Sequence, residues 1–167
     1  TPFKVFSPFW RNAEEKYLNL PPSKNYVVKK KTKLISFFKN GIESKSILPK
    51  KNWYKKFDKY WKVSENESKK VLNNLIEKKI KDYGTARDYP SIEGTSKLSP
   101  YIKHGQIHVS TIWKKCSNIK SKGIGYRKYV NELGWREFSH SLINYFPEFL
   151  KGNYRKEFDN FPWVKNE

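Results

Sequence analysis

The feature that most constrains the fold is a stretch of helical apolar spacing from Tyr126 to Tyr145. Its apolar residues recur three and four positions apart, as on the buried face of a helix: Tyr126, Tyr129, Val130, Leu133, Phe138, Leu142, Ile143 and Phe146. Pro147 follows at once and cannot continue a helix, because it lacks the N–H donor and its ring clashes with the preceding turn. The stretch therefore predicts a long helix near 126–146.

A second stretch with the same period begins at Ser64, which stands three residues before Glu67 as in a helix capping box. The apolar residues that follow have helical spacing: Val71, Leu72, Leu75, Ile76 and Ile80. They predict a helix near 65–82, which Tyr83-Gly84 ends. Further helices are expected at 100–104 and at 110–119. Because every element with a clear period is helical, we expect an all-α fold.

The first 62 residues contain little that predicts regular structure. Pro2 and Pro8 disfavour a helix, so that residues 1–11 are expected to form an extended aromatic arm. Residues 12–19 are expected to form a short helix, which Pro21-Pro22 stops. Residues 23–62 are rich in lysine and in scattered aromatic side chains, with neither a strand period nor a helix period. We therefore expect residues 1–62 to be a mostly irregular interdomain linker and residues 63–167 to be a helical domain.

The chain carries 35 lysines and arginines against 16 acidic residues, which gives a formal net charge of +19. Such an excess favours a polyanionic partner, most often nucleic acid. A lysine bias also arises in AT-rich genomes, so a merely soluble basic surface is the alternative. No run of 18 apolar residues indicates a membrane span, and the single cysteine, Cys116, fits a reducing, cytoplasmic location. We expect a monomer without a membrane partner.

The loop Glu93–Ile102 combines features that suit a phosphate group. Within a few positions it offers a glycine for a tight turn, three hydroxyls and one cation: Gly94, Thr95, Ser96, Ser99 and Lys97. Ser99-Pro100 resembles the start of a helix, with Ser99 as N-cap, and the N–H groups at a helix start favour an anion. The loop predicts a phosphate-bearing ligand, and an ordinary polar capping loop is the alternative.

On the predicted long helix, Glu132, Trp135 and Arg136 stand at i, i+3 and i+4 and share one stripe. Gly134 destabilises a helix by about 1 kcal/mol relative to alanine, and it leaves space beside Trp135 for something flat. A core tryptophan next to a surface Glu–Arg pair is the alternative. No metal is expected, because the three histidines and the cysteine match no common zinc spacing: His104, His108, His140 and Cys116.

Two segments are more informative as a pair than either is alone: Glu93-Gly94-Thr95-Ser96-Lys97-Leu98-Ser99-Pro100-Tyr101 and Asn131-Glu132-Leu133-Gly134-Trp135-Arg136-Glu137-Phe138. In order and separation they resemble the flavin-domain signatures of the DNA photolyase/cryptochrome family. The resemblance extends to Asp82-Tyr83, Arg87-Asp88-Tyr89-Pro90 and Phe6-Ser7-Pro8-Phe9-Trp10-Arg11. It is strongest to bacterial cyclobutane-dimer photolyases. It implies a fragment that holds the interdomain linker and the first half of the FAD-binding helical domain.

The resemblance implies FAD as cofactor and DNA containing pyrimidine dimers as partner, with a second antenna chromophore bound mainly outside these residues. It assigns to FAD Tyr83, Thr95, Ser96, Lys97, Leu98, Ser99, Tyr129, Glu132 and Arg136. It assigns to catalysis Glu132 and Trp135, and to DNA Arg87, Glu132, Trp135 and Arg136. In this assignment Trp135 stacks on the flipped-out dimer. Lys97 departs from the arginine common in relatives and keeps the charge without the fork geometry.

The implied activity is that of a deoxyribodipyrimidine photolyase, which splits the cyclobutane ring by light-driven electron transfer from FAD. The fragment by itself is expected to be inactive. Two alternatives differ in class: a cryptochrome-like blue-light photoreceptor with the same fold, and a basic all-α nucleic-acid-binding module with accidental motifs. The pair Glu132 and Trp135, together with the positive charge, favours repair.

Overall fold

The computed structural model describes residues 2–21, 49–162 and 164. Within these ranges the regular elements are helices and no strand occurs, which confirms the all-α prediction. In chain order the α-helices are α1 Phe6–Leu18, α2 Glu65–Asn74, α3 Tyr83–Ala86, α4 Ser99–Lys103, α5 Val109–Ser117 and α6 Ile124–Tyr145. Short 3₁₀ helices lie at Asn52–Lys59, Pro147–Leu150 and Lys156–Asn160. None of the helices in the described ranges has the length and apolar character needed to cross a membrane.

Helix α1 shows that the extended arm expected at residues 1–11 was wrong. Pro8 is the third residue of this helix, where its missing N–H would have had no acceptor within the helix. Phe9 and Trp10 are buried, and the ring of Trp10 lies 5.7 Å from that of Trp113 on α5. The segment is therefore part of the helical core. The expected boundary between linker and domain stays a prediction, and residues 22–48 of the linker lie outside the described residues.

Helix α2 begins at the predicted place, because the Ser64 hydroxyl accepts a hydrogen bond from the Glu67 N–H at 3.0 Å. The Glu67 carboxylate pairs with Lys70 at 2.6 Å. Beyond Asn74 the helix widens into a π turn, in which the Ile80 N–H bonds to the Leu75 carbonyl at 2.8 Å. The prediction that Tyr83-Gly84 ends the helical structure is wrong. Tyr83 is the first residue of α3, which packs on α6.

Helices α5 and α6 form where the sequence predicts them, and α6 ends before Pro147. The predicted cap at Ser99 is wrong, because Ser99 is itself the first residue of α4 and no side-chain cap is formed there. The largest fully buried side chains come from α2 and the π turn after it, from α5 and α6, and from the loop before α4: Leu72, Leu75, Leu98, Ile112, Trp113, Tyr126 and Val130. This core holds the loop after residue 92 against α3 and α6.

Candidate functional site

The hydroxyl-rich loop lies directly on α3. A Cβ added to Gly94 would come within 2.1 Å of the Ala86 carbonyl oxygen, so that only glycine fits this approach. The Lys97 backbone has a φ of 53°, and among the described residues it is the one non-glycine with a positive φ. Because this conformation is unfavourable for a residue with a Cβ, the surrounding contacts hold the loop in a defined shape.

Side chains of the same loop reinforce that shape. The Lys97 ammonium donates to the Glu93 carboxylate at 2.6 Å, and this hydrogen bond is the main reason that the pKa of Glu93 lies below its usual range. The Leu98 N–H donates to the Ser96 hydroxyl at 3.4 Å while the Leu98 side chain is buried. The side chains of Thr95 and Ser99 stay exposed. The loop thus presents two hydroxyls to solvent on either side of a lysine.

Two buried tyrosines, one on α3 and one on α6, lie next to this loop. The rings of Tyr83 and Tyr129 meet edge to face, with centroids 5.1 Å apart. Burial raises the pKa of Tyr129 well above its usual range, and a hydrogen bond with Ser96 opposes part of that rise. Tyr129 is therefore a neutral phenol at physiological pH, so it offers a polar wall without a negative charge.

An ion pair joins α3 to α6 beside these tyrosines. The Arg87 guanidinium donates through Nη1 to Oε1 of Glu132, and this bond is the main cause of the raised pKa of Arg87. The same guanidinium lies 5.9 Å from the centroid of the Tyr83 ring. We call the five residues that meet here the tyrosine cluster: Tyr83, Arg87, Ser96, Tyr129 and Glu132.

Trp135 follows Glu132 by three positions on α6 and leaves 48% of its surface exposed. Phe6 covers one face of its ring, with centroids 3.9 Å apart and planes inclined by 11°. Phe138 meets it edge to face at 5.8 Å. Phe6 was missed as a site residue, because its segment was interpreted as an arm. The signal was present in the motif Phe6–Arg11, which belongs to the family resemblance.

The space beside Gly134 is occupied by a ring of this same chain. A Cβ added to Gly134 would come within 2.8 Å of the Trp10 indole. The expectation that this glycine admits a flat ligand beside Trp135 is therefore wrong. Gly134 instead lets α1 and α6 approach closely, with Trp10 in contact.

The remaining predicted residues lie around the tyrosine cluster without joining it. The Arg136 guanidinium pairs with Glu137. Burial raises the pKa of Tyr17, the Glu137 carboxylate adds to this rise, and the Arg136 cation opposes it. The Thr95 carbonyl accepts a hydrogen bond from Lys79 at 3.3 Å. In the part of the chain that the structure describes, no cluster of acidic, histidine or cysteine side chains could hold a metal ion.

Known proteins are similar to this chain over most of its length. No protein-family model matches the chain. A deoxyribodipyrimidine photo-lyase of Agrobacterium fabrum is 30% identical over 177 residues, covering 99% of this chain and 35% of the relative. One of Alkalihalophilus pseudofirmus is 30% identical over 152 residues, covering 89% of this chain and 30% of the relative.

A solved structure shows the same fold. The crystal structure of a bacterial class III photolyase from Agrobacterium tumefaciens matches 98% of this chain and 34% of its own, with a TM-score of 0.68 and 28% identity. The chain thus spans about a third of the length of the relatives that it matches. Similarity in sequence and structure runs along almost the whole of it, and the chain belongs to the DNA photolyase/cryptochrome family.

Proposed function

We propose that this chain forms part of a deoxyribodipyrimidine photolyase, which splits cyclobutane pyrimidine dimers in DNA by light-driven, FAD-dependent electron transfer. The chain spans about a third of its relatives' length, so the proposal concerns the complete protein that contains it. One observation supports the proposal most directly. Trp135 presents an exposed ring that Phe6 supports from behind, three positions from a carboxylate that Arg87 holds.

The lesion side of the proposal rests on Trp135 and Glu132. A pyrimidine dimer must leave the base stack before it can be read, and a flat aromatic face stabilises an extruded base by about 1–3 kcal/mol. Phe6 already covers one face of Trp135, so we assign the exposed remainder to the dimer. Oε1 of Glu132 accepts from Arg87, and we assign Oε2 to an N–H group of the bound pyrimidine.

Arg87 is proposed to reach the DNA backbone. A guanidinium has five N–H donors in a fixed fork. Arg87 pairs with Glu132 through Nη1, and its Nε lies 3.5 Å from Oδ1 of Asp88, which leaves other N–H groups for a phosphate oxygen. The net charge of +19 supports binding to a polyanion in general. Arg87 would then connect the lesion pocket to the strand that carries the lesion.

The loop residues fit the cofactor that the family implies. The exposed hydroxyls of Thr95 and Ser99 flank the Lys97 cation on a loop whose shape depends on Gly94, and donors with a cation suit phosphate oxygens. We propose that the loop holds the FAD phosphates and ribityl chain: Thr95, Ser96, Lys97, Leu98 and Ser99. The flavin would face Tyr83, Tyr129, Glu132 and Arg136. When bound and excited by light, FAD would supply the electron that opens the cyclobutane ring.

The assignments of Arg136 and Tyr129 to FAD depend on the ion pair of the first and on the protonation of the second. Arg136 is paired with Glu137, so it must share or exchange that partner to face FAD. Tyr129 contributes a neutral phenol, because burial keeps its proton in place. Because this phenol carries no negative charge, it does not repel the phosphates of FAD.

The test is a filter-binding titration of the complete protein with irradiated and unirradiated oligonucleotides at fixed salt. Wild type should prefer irradiated DNA. Trp135→Ala should weaken that binding roughly ten- to a hundredfold, with flavin content and binding to undamaged DNA nearly unchanged. Tyr145→Ala, which removes another exposed ring from α6, is the matched control and should keep the preference. If wild type shows no preference, the photolyase assignment fails and the blue-light photoreceptor takes its place.

A further inference from the structure

A segment that the proposed function does not use combines cations with exposed aromatic rings. Residues 50–62, which we call the lysine–aromatic segment, contain six lysines, five aromatic residues and a single acidic residue. The lysines are all exposed: Lys50, Lys51, Lys55, Lys56, Lys59 and Lys62. The aromatic residues are Trp53, Tyr54, Phe57, Tyr60 and Trp61. The segment is therefore strongly basic, with five more lysines than acidic residues.

The 3₁₀ helix Asn52–Lys59 arranges these side chains in neighbouring rows. In a 3₁₀ helix residues three apart eclipse one another. Trp53, Lys56 and Lys59 therefore form one row, and Phe57 stands in the next with Tyr60 just beyond it. Tyr60 is 72% exposed, Trp53 59% and Phe57 53%. A row that carries two lysines thus lies beside a row of exposed aromatic rings.

The end of the segment is fastened to the rest of the fold. The Trp61 ring packs against Tyr101 of α4 at 6.2 Å, and the Tyr101 hydroxyl donates to the Lys62 carbonyl at 3.1 Å. A groove of about 460 Å³ lies at this contact. Its lining is mostly apolar and includes Phe57, Trp61, Val63, Pro100 and Tyr101. The surface is therefore held at a fixed place beside α4.

We propose that the lysine–aromatic segment binds a single-stranded polynucleotide, with the lysines on phosphates and unpaired bases stacked on Trp53, Phe57 and Tyr60. Lysine contacts neutralise phosphates, and aromatic faces stack bases of any sequence. A duplex would engage the lysines but would hide its base faces from the rings. The surface goes beyond the proposed function, because none of its residues is assigned to flavin or to the lesion.

The charge part of the proposal is tested in the dark with undamaged, fluorescein-labelled oligothymidylate of about 12 nucleotides. The complete protein carries Trp135→Ala, so that the lesion pocket does not contribute. Replacing three lysines of the segment by glutamine should make the slope of log affinity against log salt shallower by about 2 units. The matched control removes the same charge from three exposed lysines elsewhere and should leave that slope nearly unchanged. The segment variant is Lys55, Lys56 and Lys59→Gln, and the control is Lys114, Lys115 and Lys120→Gln.

The stacking part is tested with the same oligonucleotide. Trp53→Ala and Tyr60→Ala should each weaken binding roughly five- to a hundredfold. Arginine at positions 55, 56 and 59 should restore the salt slope, which separates lost charge from lost folding. Oligouridylate in parallel shows whether the strand is DNA or RNA, since the shared chemistry predicts binding of either.

Three outcomes would overturn the proposal: equal losses in both glutamine variants, unchanged affinity in both aromatic variants, or a preference for duplex over single strands. None of them bears on dimer repair, because the probe is undamaged and no light is used. Conversely, if the protein showed no preference for irradiated DNA, the photolyase proposal would fail and the proposal for this surface would stand.

Discussion

Phe6 and Trp135 stack face to face at 3.9 Å, although they come from α1 and from the second half of α6. Phe6 also stacks on Trp10, with centroids 6.1 Å apart and planes again inclined by 11°. The three rings form a column that leads from the exposed Trp135 to the buried Trp10. The orientation of the proposed lesion-stacking ring is therefore set by a residue near the start of the chain.

Phe6→Ala should reduce affinity for dimer-containing DNA by roughly tenfold, because Trp135 loses the ring that holds it flat. Phe6→Tyr keeps the ring and should restore the affinity. Phe3→Ala, which removes an exposed ring that contacts Phe9, is the control and should change it little. Titrations with irradiated and unirradiated oligonucleotides measure the effect. If Phe6→Ala lowers only thermal stability and leaves the preference for irradiated DNA intact, Phe6 is a packing residue alone.

Gly94→Ala should displace the hydroxyl-rich loop, because its Cβ would lie 2.1 Å from the Ala86 carbonyl oxygen and the backbone must move. We expect a clear drop in thermal stability and in flavin content. Gly84→Ala is the matched control, since its nearest contact would be an ordinary 3.4 Å and alanine favours a helix by about 1 kcal/mol. Melting curves measure the thermal stability of both variants, and flavin absorbance measures their flavin content. Wild-type behaviour of Gly94→Ala would show that the loop adapts.

Thr95→Ala combined with Ser99→Ala should lower flavin content in the complete protein, because two exposed hydroxyls assigned to FAD are lost. Neither side chain is buried, so the fold should be unaffected. The ratio of flavin to protein absorbance in purified protein measures the effect. The control is Thr85→Ala, an exposed hydroxyl on α3 outside the loop. Unchanged flavin content in the double variant would move the phosphate site elsewhere.

Stability should fall as the pH rises above 9. Burial raises the pKa of the Cys116 thiol from 9.0 to about 12. Below pH 9 both the folded and the unfolded states keep this proton, so its contribution is fully present. Between pH 9 and about 12 the unfolded state releases the proton first, and stability declines by up to about 1.4 kcal/mol per pH unit for this group. The buried Tyr129 adds a loss in the same direction, since its pKa is also raised.

Urea unfolding at about pH 8 and about pH 10 measures this decline. Cys116→Ala removes the thiol and should show a smaller decline than wild type over the same interval. An identical decline in both proteins would exclude Cys116 as a source of the pH dependence.

The local parts of the fold could be predicted from the sequence. Helix α6 and the cap at Ser64 follow from spacing and from one hydrogen bond between near neighbours. The second half of helix α1 agrees with the short helix predicted at residues 12–19. Its first half was missed because the effect of Pro8 depends on its position in the helix, which a proline by itself does not reveal. Helix α3 was missed because Gly84 resembles a stop signal and yet adopts a helical conformation.

The contacts of the candidate site could be predicted only in part. The motifs identified Tyr83, Arg87 and Glu132, but no local pattern shows that Arg87 pairs with Glu132 across 45 positions. The stack of Phe6 on Trp135 is equally long-range. Spacing along one helix placed Trp135 and Arg136 on a common stripe, but it did not show that Trp135 stacks on a ring of α1 or that Arg136 pairs with its neighbour Glu137. The functional roles of these residues stay predictions.

Light-driven splitting of dimers tests the central claim most directly. The complete, flavin-loaded protein is mixed with an irradiated oligonucleotide, exposed to blue light, and compared with a dark sample by the amount of dimer that remains. We predict that wild type removes dimers only in the light and that Trp135→Ala does so far more slowly at limiting DNA. A flavin-loaded wild type that binds DNA but leaves the dimers intact in the light would contradict the assignment as a photolyase.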